Sequence, residues 1–239
     1  MSALHNSPSA QAMQNAVREA AKKDPLAPLT MTAREVIDFT LSRLKDDRGV
    51  HLETALAMIG ALAGHLCAEI GVRGRRDLGD RFDPRDMQTF CLVEGTSSER
   101  YVLGDLVDRW MFQEGRGFWR CLEAFADKHG AAMPDQEALR KHVVETFYKP
   151  EFGIPRLPDR HQPAVPPVTL LQKLGGEYVP YLTLYLDTLE DAVTALAFAA
   201  QTLMSDAMEG NVMPLDMMLR ILAESAVPMA RLHPDDLEL

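Results

Sequence analysis

His65 and Glu69 stand four residues apart in the stretch His51 to Gly71, HLETALAMIGALAGHLCAEIG. At helical spacing they share a face, so an imidazole and a carboxylate lie within reach of each other. Such a pair begins a metal site or an oriented acid–base pair. A protein metal site needs at least three protein ligands, and no second ExxH or HExxH pair occurs in the chain, so no metal site is assigned. The plainer reading is a histidine held by a local carboxylate. Asp187, Glu190 and Asp191 form a second acidic group, at the expected start of a helix. Paired carboxylates can share a proton or hold a divalent ion, yet a helix N-terminus favours them with no ligand at all.

Arg73, Arg75, Arg76 and Arg81 alternate with Gly71, Gly74 and Gly79 in GVRGRRDLGDRFDP, which reads as a loop. Arginine forks beside glycine-exposed amides suit a carboxylate or phosphate, making Arg73, Arg75 and Arg76 candidate anion ligands. Asp77, Asp80 and Asp83 neutralise much of that charge, and no Walker or Rossmann glycine pattern accompanies it. Both tryptophans, Trp110 and Trp119, bracket Gln113-Glu-Gly-Arg-Gly117, with Arg116 and Arg120 close by. Large aromatics beside arginines are frequent at binding surfaces and equally ordinary as core anchors. Trp110, Arg116, Trp119, Arg120 and His65 therefore make the candidate ligand set. Arg160, Pro163 and Pro166 match the RxxPxxP spacing read by Src-homology-3 domains, a pattern that any proline-rich run produces readily. No serine nucleophile elbow is present, and no cysteine has a histidine at a telling position, so catalytic residues and cofactor stay unassigned.

The elements that must position these groups are mostly helices. Ala57, Gly60, Ala61, Gly64 and Ala68 form a stripe of small residues along one helix face. Glycine inside a helix costs roughly 1 kcal/mol against alanine, so close approach of another backbone must compensate. Other helices are expected over 9–23, from a Thr32-to-Glu35 capping box to about 46, over 105–112, 118–129 and 134–147, from a Thr188 cap to about 208, and over 214–226. Thr89 to Val93 and Arg100 to Leu103, flanking EGTSSE, read as a β-hairpin. Six prolines between Pro150 and Pro167 exclude helix and central strand and predict an extended strap, docked through Phe152, Ile154, Leu157 and Val165. The fold class is mainly α, a helical bundle-like body with one small β-hairpin and a proline-rich strap. One domain over 9–230 is expected, with sub-lobes 9–71 and 84–230, a loose stretch 1–8 and a mobile acidic tail 231–239.

With 25 basic and 35 acidic residues the formal charge is -10, which repels phosphate backbones and argues against nucleic acid as a partner. The longest apolar run, Ala55 to Gly64, stops at His65, short of the ~18 residues of a membrane span. The first residues lack a secretion-signal pattern, and three dispersed cysteines suit reduced thiols in the cytoplasm. The leading expectation is a cytoplasmic helical interaction or binding protein, a homodimer without catalytic chemistry. The alternative is an enzyme or small-ligand binder with an inter-helical site near Trp110, Trp119 and His65. A buried, strongly perturbed His65 or a deep pocket beside it favours the alternative.

Overall fold

A computed structural model describes residues 8–95 and 99–237. Among these residues there are eight helices of ten residues or more: α1 (Pro8–Ala21), α2 (Ala27–Leu44), α3 (Leu52–Leu78), α5 (Phe118–Lys128), α6 (Gln136–Glu145), α7 (Pro167–Leu184), α8 (Leu189–Glu209) and α9 (Leu215–Met229). A single turn, α4 (Asp105–Asp108), runs into a π-helical segment, Arg109–Gln113. A two-residue ribbon joins β1 (Lys45–Asp46) to β2 (Gly49–Val50), and β3 (Cys91–Glu94) pairs antiparallel with β4 (Arg100–Leu103) in the register Cys91 to Leu103. The mainly α architecture stands. The loose stretch expected over 1–8 falls, up to residue 7, outside the described residues, as does the centre of the EGTSSE turn.

α3 is the axis of the fold, and α9, α8 and α7 pack around it. It is long and apolar enough to cross a membrane, but 89% of its most apolar window is buried inside the chain. Its small-residue stripe explains the close approach of α9. A Cβ on Gly60 would stand 2.7 Å from the Leu222 carbonyl oxygen. A Cβ on Gly64 would overlap the Ala226 carbonyl oxygen and lie 2.9 Å from the Ala230 nitrogen. The stripe is thus covered within one chain and leaves no surface for a second copy. Met204 of α8 and Met218 of α9 are fully buried and Met213 between them nearly so, all three part of the core.

Several local expectations are corrected by tertiary packing. α2 opens at Ala27 with Pro28 in its first turn, so Thr32 is not a cap but a fully buried helix residue whose hydroxyl lacks a partner. α3 continues two turns past Gly71, because Val107 of α4 lies where a Gly71 Cβ would be and holds the helix against the body. Arg73, Arg75 and Arg76 are therefore helical, not loop, residues. α7 continues through Pro180, which lies in its interior. Thr188 does cap α8, its hydroxyl accepting from the Asp191 amide at 3.1 Å.

The strap over 150–167 lies on the body, as expected. Phe152 and Leu157 are buried, Arg156 donates to Glu224 at 3.0 Å, and the Ala164 amide donates to Thr54 at 2.9 Å. Ile154, expected to dock, is 48% exposed instead. The acidic tail is not a loose end over its described part, which closes the free edge of β4. The Val102 amide donates to the Arg231 carbonyl at 2.7 Å and the His233 amide to the Arg100 carbonyl at 2.8 Å. Asp236 accepts from the Arg100 guanidinium at 2.6 Å, and Leu237 is buried. An edge strand that invites pairing is thereby occupied by the chain's own C-terminal segment.

Candidate functional site

One face of α3 carries His65, Glu69, Arg73 and Asp77 at four-residue intervals, with Leu66, Ile70 and Gly74 beside them. The two rows occupy about 18 Å of helix at 1.5 Å per residue. They floor a cleft of about 1000 Å³. The facing wall is α7, through Val179, Leu182 and Thr183, and it continues across Leu186 and Asp187 into the start of α8 at Leu189 and Glu190. Leu106, Arg109 and Trp110 close one end, and Pro234 with Asp235 of the C-terminal segment enters the lining. Arg109 and Trp110 lie on the π-helical segment, closed by the Glu114 amide donating to the Arg109 carbonyl at 2.8 Å. Gly117 admits this distortion, because the Trp110 carbonyl packs where its Cβ would stand. Such π segments are frequent at functional sites.

His65 is 8% exposed and its Nδ1 is sealed from solvent without a hydrogen-bond partner. Burial pulls its pKa down to about 4, with the nearby Glu69 carboxylate pulling the other way. The imidazole is thus neutral at pH 7. Glu69 is committed to Arg73 instead, at 2.6 Å, so the expected histidine–carboxylate pair shares a face but makes no direct bond. The folded chain refuses a proton that the unfolded chain accepts below pH 6.5. Stability from this residue is therefore intact above pH 6.5 and falls as pH drops toward 4, by about 2 kcal/mol at pH 5. Denaturant titrations at pH 7.5 and 5 should show His65→Gln losing this much less stability than the parent over that interval. Parallel losses in both proteins would mean that the ring titrates freely.

The cleft is acidic. Glu69, Asp77, Asp187, Glu190 and Asp235 line it, against Arg73 and Arg109. Both arginines are taken, Arg73 by Glu69 and Arg109 by Glu114 at 2.6 Å. Asp77, Asp187 and Glu190 form no ion pair among the described residues. Glu190 lies in the first turn of α8, where the helix dipole favours its charge. Among the described residues no three His, Cys, Asp or Glu side chains are grouped to hold a metal ion.

The structure brings together His65, Trp110 and Arg73 from the sequence candidates and disperses the rest. Trp119 is 3% exposed and packs on Phe112 at 5.4 Å between ring centres, a core anchor. Arg116 pairs with Asp191 at 3.2 Å, outside the cleft lining, and Arg120 with Glu123 on the surface of α5. Arg75 stacks on Phe82 at 3.8 Å, while Arg76 reaches Asp235 at 3.4 Å. The three candidate anion ligands therefore point to three different partners, at a helix C-terminus whose dipole repels anions. Sequence reasoning missed Arg109, the α7 wall and Asp235. Nothing local in the sequence signalled that α7 faces His65. No family model, no curated protein and no solved structure matches this chain.

Proposed function

We propose that the chain is a binding protein whose cleft between α3 and α7 takes an organic cation with an apolar body. The observation that carries this reading is the set of carboxylates without cationic partners, Asp77, Asp187 and Glu190, in a cleft whose apolar lining comes chiefly from leucine, isoleucine and valine. A ligand ammonium supplies the missing charge, and Leu66, Ile70, Leu182, Leu186 and Leu189 cover its hydrocarbon part. The half-buried Trp110 ring adds a face that attracts cations. Binding rather than proton transfer suits His65, since a base with a pKa near 4 is poorly matched to chemistry at neutral pH. The three unpaired cysteines support a reducing, cytoplasmic setting.

Phenethylammonium and phenylacetate differ chiefly in the sign of their charge, and calorimetry with both tests the reading. Phenethylammonium should bind and quench Trp110 fluorescence, while phenylacetate should leave that signal unchanged. The double variant Asp187→Asn, Glu190→Gln removes two of the three carboxylates without cationic partners and should weaken the cation about tenfold or more. Equal binding of both compounds, or no loss in the double variant, would defeat the assignment.

A further inference from the structure

We infer that a second, smaller pocket, between the β4–α4 corner and α6, is a subsite for a monocarboxylate with a short apolar tail. Its volume is about 360 Å³, at the lower end of small-molecule sites. Arg231, Arg140 and Asp108 meet there. Asp108 is 3% exposed and accepts from both arginines, one on each carboxylate oxygen. Two guanidiniums thus share one carboxylate, and a guanidinium does not lose its proton in a protein. Arg231, Asp108 and Arg140 together carry one net positive charge, which the Asp105 carboxylate in the same pocket offsets.

What is missing is an acceptor, at one atom. Arg231 is 2% exposed, and its Nη1 is buried without any acceptor, while Nη2 serves Asp108. A buried charged donor left open is costly, and an oxyanion is the strongest acceptor for a guanidinium. Asp105 sets the size of its charge. Its carboxylate lines the same pocket, held at 3.4 Å by the Gln88 amide, and would repel a dianion. A singly charged carboxylate satisfies both conditions where a phosphate dianion does not. The remaining lining is apolar, from Met87, Leu103 and Val144, and gives the tail its cover. Met87 and Val144 are 64% and 45% exposed, so the pocket opens to solvent on that side.

This site is separate in lining and in charge from the acidic cleft, and the two readings fail independently. Butyrate is the probe, titrated into the full chain at constant ionic strength with chloride, phosphate and butylammonium as controls. Butyrate should raise the melting temperature saturably, and the controls should not. Arg140→Gln should weaken butyrate about tenfold. Because that variant also touches Asp108, Met87→Asp, at an exposed pocket residue outside α6, provides a second arm that replaces none of the ion-pair partners. It places a negative charge at the mouth and should weaken butyrate in the same direction. A butyrate response no larger than that of chloride overturns the subsite, as does an unchanged response in Met87→Asp. A stronger response to phosphate than to butyrate would overturn the monoanion assignment.

Discussion

Gly64→Leu should destabilise the protein by about 3 kcal/mol or more, at the upper end of what overpacking costs. The reason is that α3 and α9 meet backbone to backbone. Even the Cβ of an alanine at 64 would overlap the Ala226 carbonyl oxygen and crowd the Ala230 nitrogen, and neither is a flexible side-chain end that can swing away. Either α9 moves off the axis of the fold or α3 bends. Gly74 on the same helix supplies the control. A Cβ there meets nothing nearer than Leu106 at 3.7 Å, an ordinary contact. Gly74→Ala should therefore stabilise the chain by up to about 1 kcal/mol through helix propensity alone. Urea denaturation of the two variants decides the matter. A Gly64→Leu protein with the parent midpoint would show that the α3–α9 contact is loose.

Asp108→Asn should cost about 3–5 kcal/mol, the penalty for breaking a buried ion pair from one side. Arg231 would keep its charge inside the protein, where its guanidinium is almost wholly buried and already has one nitrogen without an acceptor. The damage should spread along the chain, because Arg231 also supplies the carbonyl that holds β4 through Val102. The surface pair of Arg120 and Glu123 on α5 is the comparison, with side chains 49% and 37% exposed. Glu123→Gln should change stability by no more than about 0.5 kcal/mol, since exposed pairs contribute little. Equal losses from Asp108→Asn and Glu123→Gln in calorimetric unfolding would remove the Asp108 cluster from any structural role.

The helical architecture was legible because its signals are local. The stripe from Ala57 to Ala68 announced a close helix contact, since two glycines four apart need a compensating neighbour, and that neighbour is α9. The Thr188 cap, the β3–β4 hairpin and the docked strap follow likewise from capping groups, alternation and proline. Local rules failed where a distant element decided. Gly71 and Gly74 looked like loop residues, but Val107 packs on the Gly71 backbone and keeps α3 helical to Leu78. The described tail looked solvated, but residues 231–233 complete an edge of β4 across 130 residues of chain, a pairing that no periodicity encodes.

The candidate site divides in the same way. His65 and Glu69 shared a face by helical geometry, and that was readable; that Glu69 turns to Arg73 and leaves the ring sealed depended on what packs over it. Trp110 and Trp119, nine residues apart, were indistinguishable as residue types. The π-helical segment turns Trp110 into the cleft, whereas α5 buries Trp119 against Phe112. Helical periodicity says which residues share a face, because it depends only on neighbours within a turn or two. Which face meets which is a property of volumes and charges brought together from α3, α4, α7, α8 and the C-terminal segment. The cleft exists only at that level.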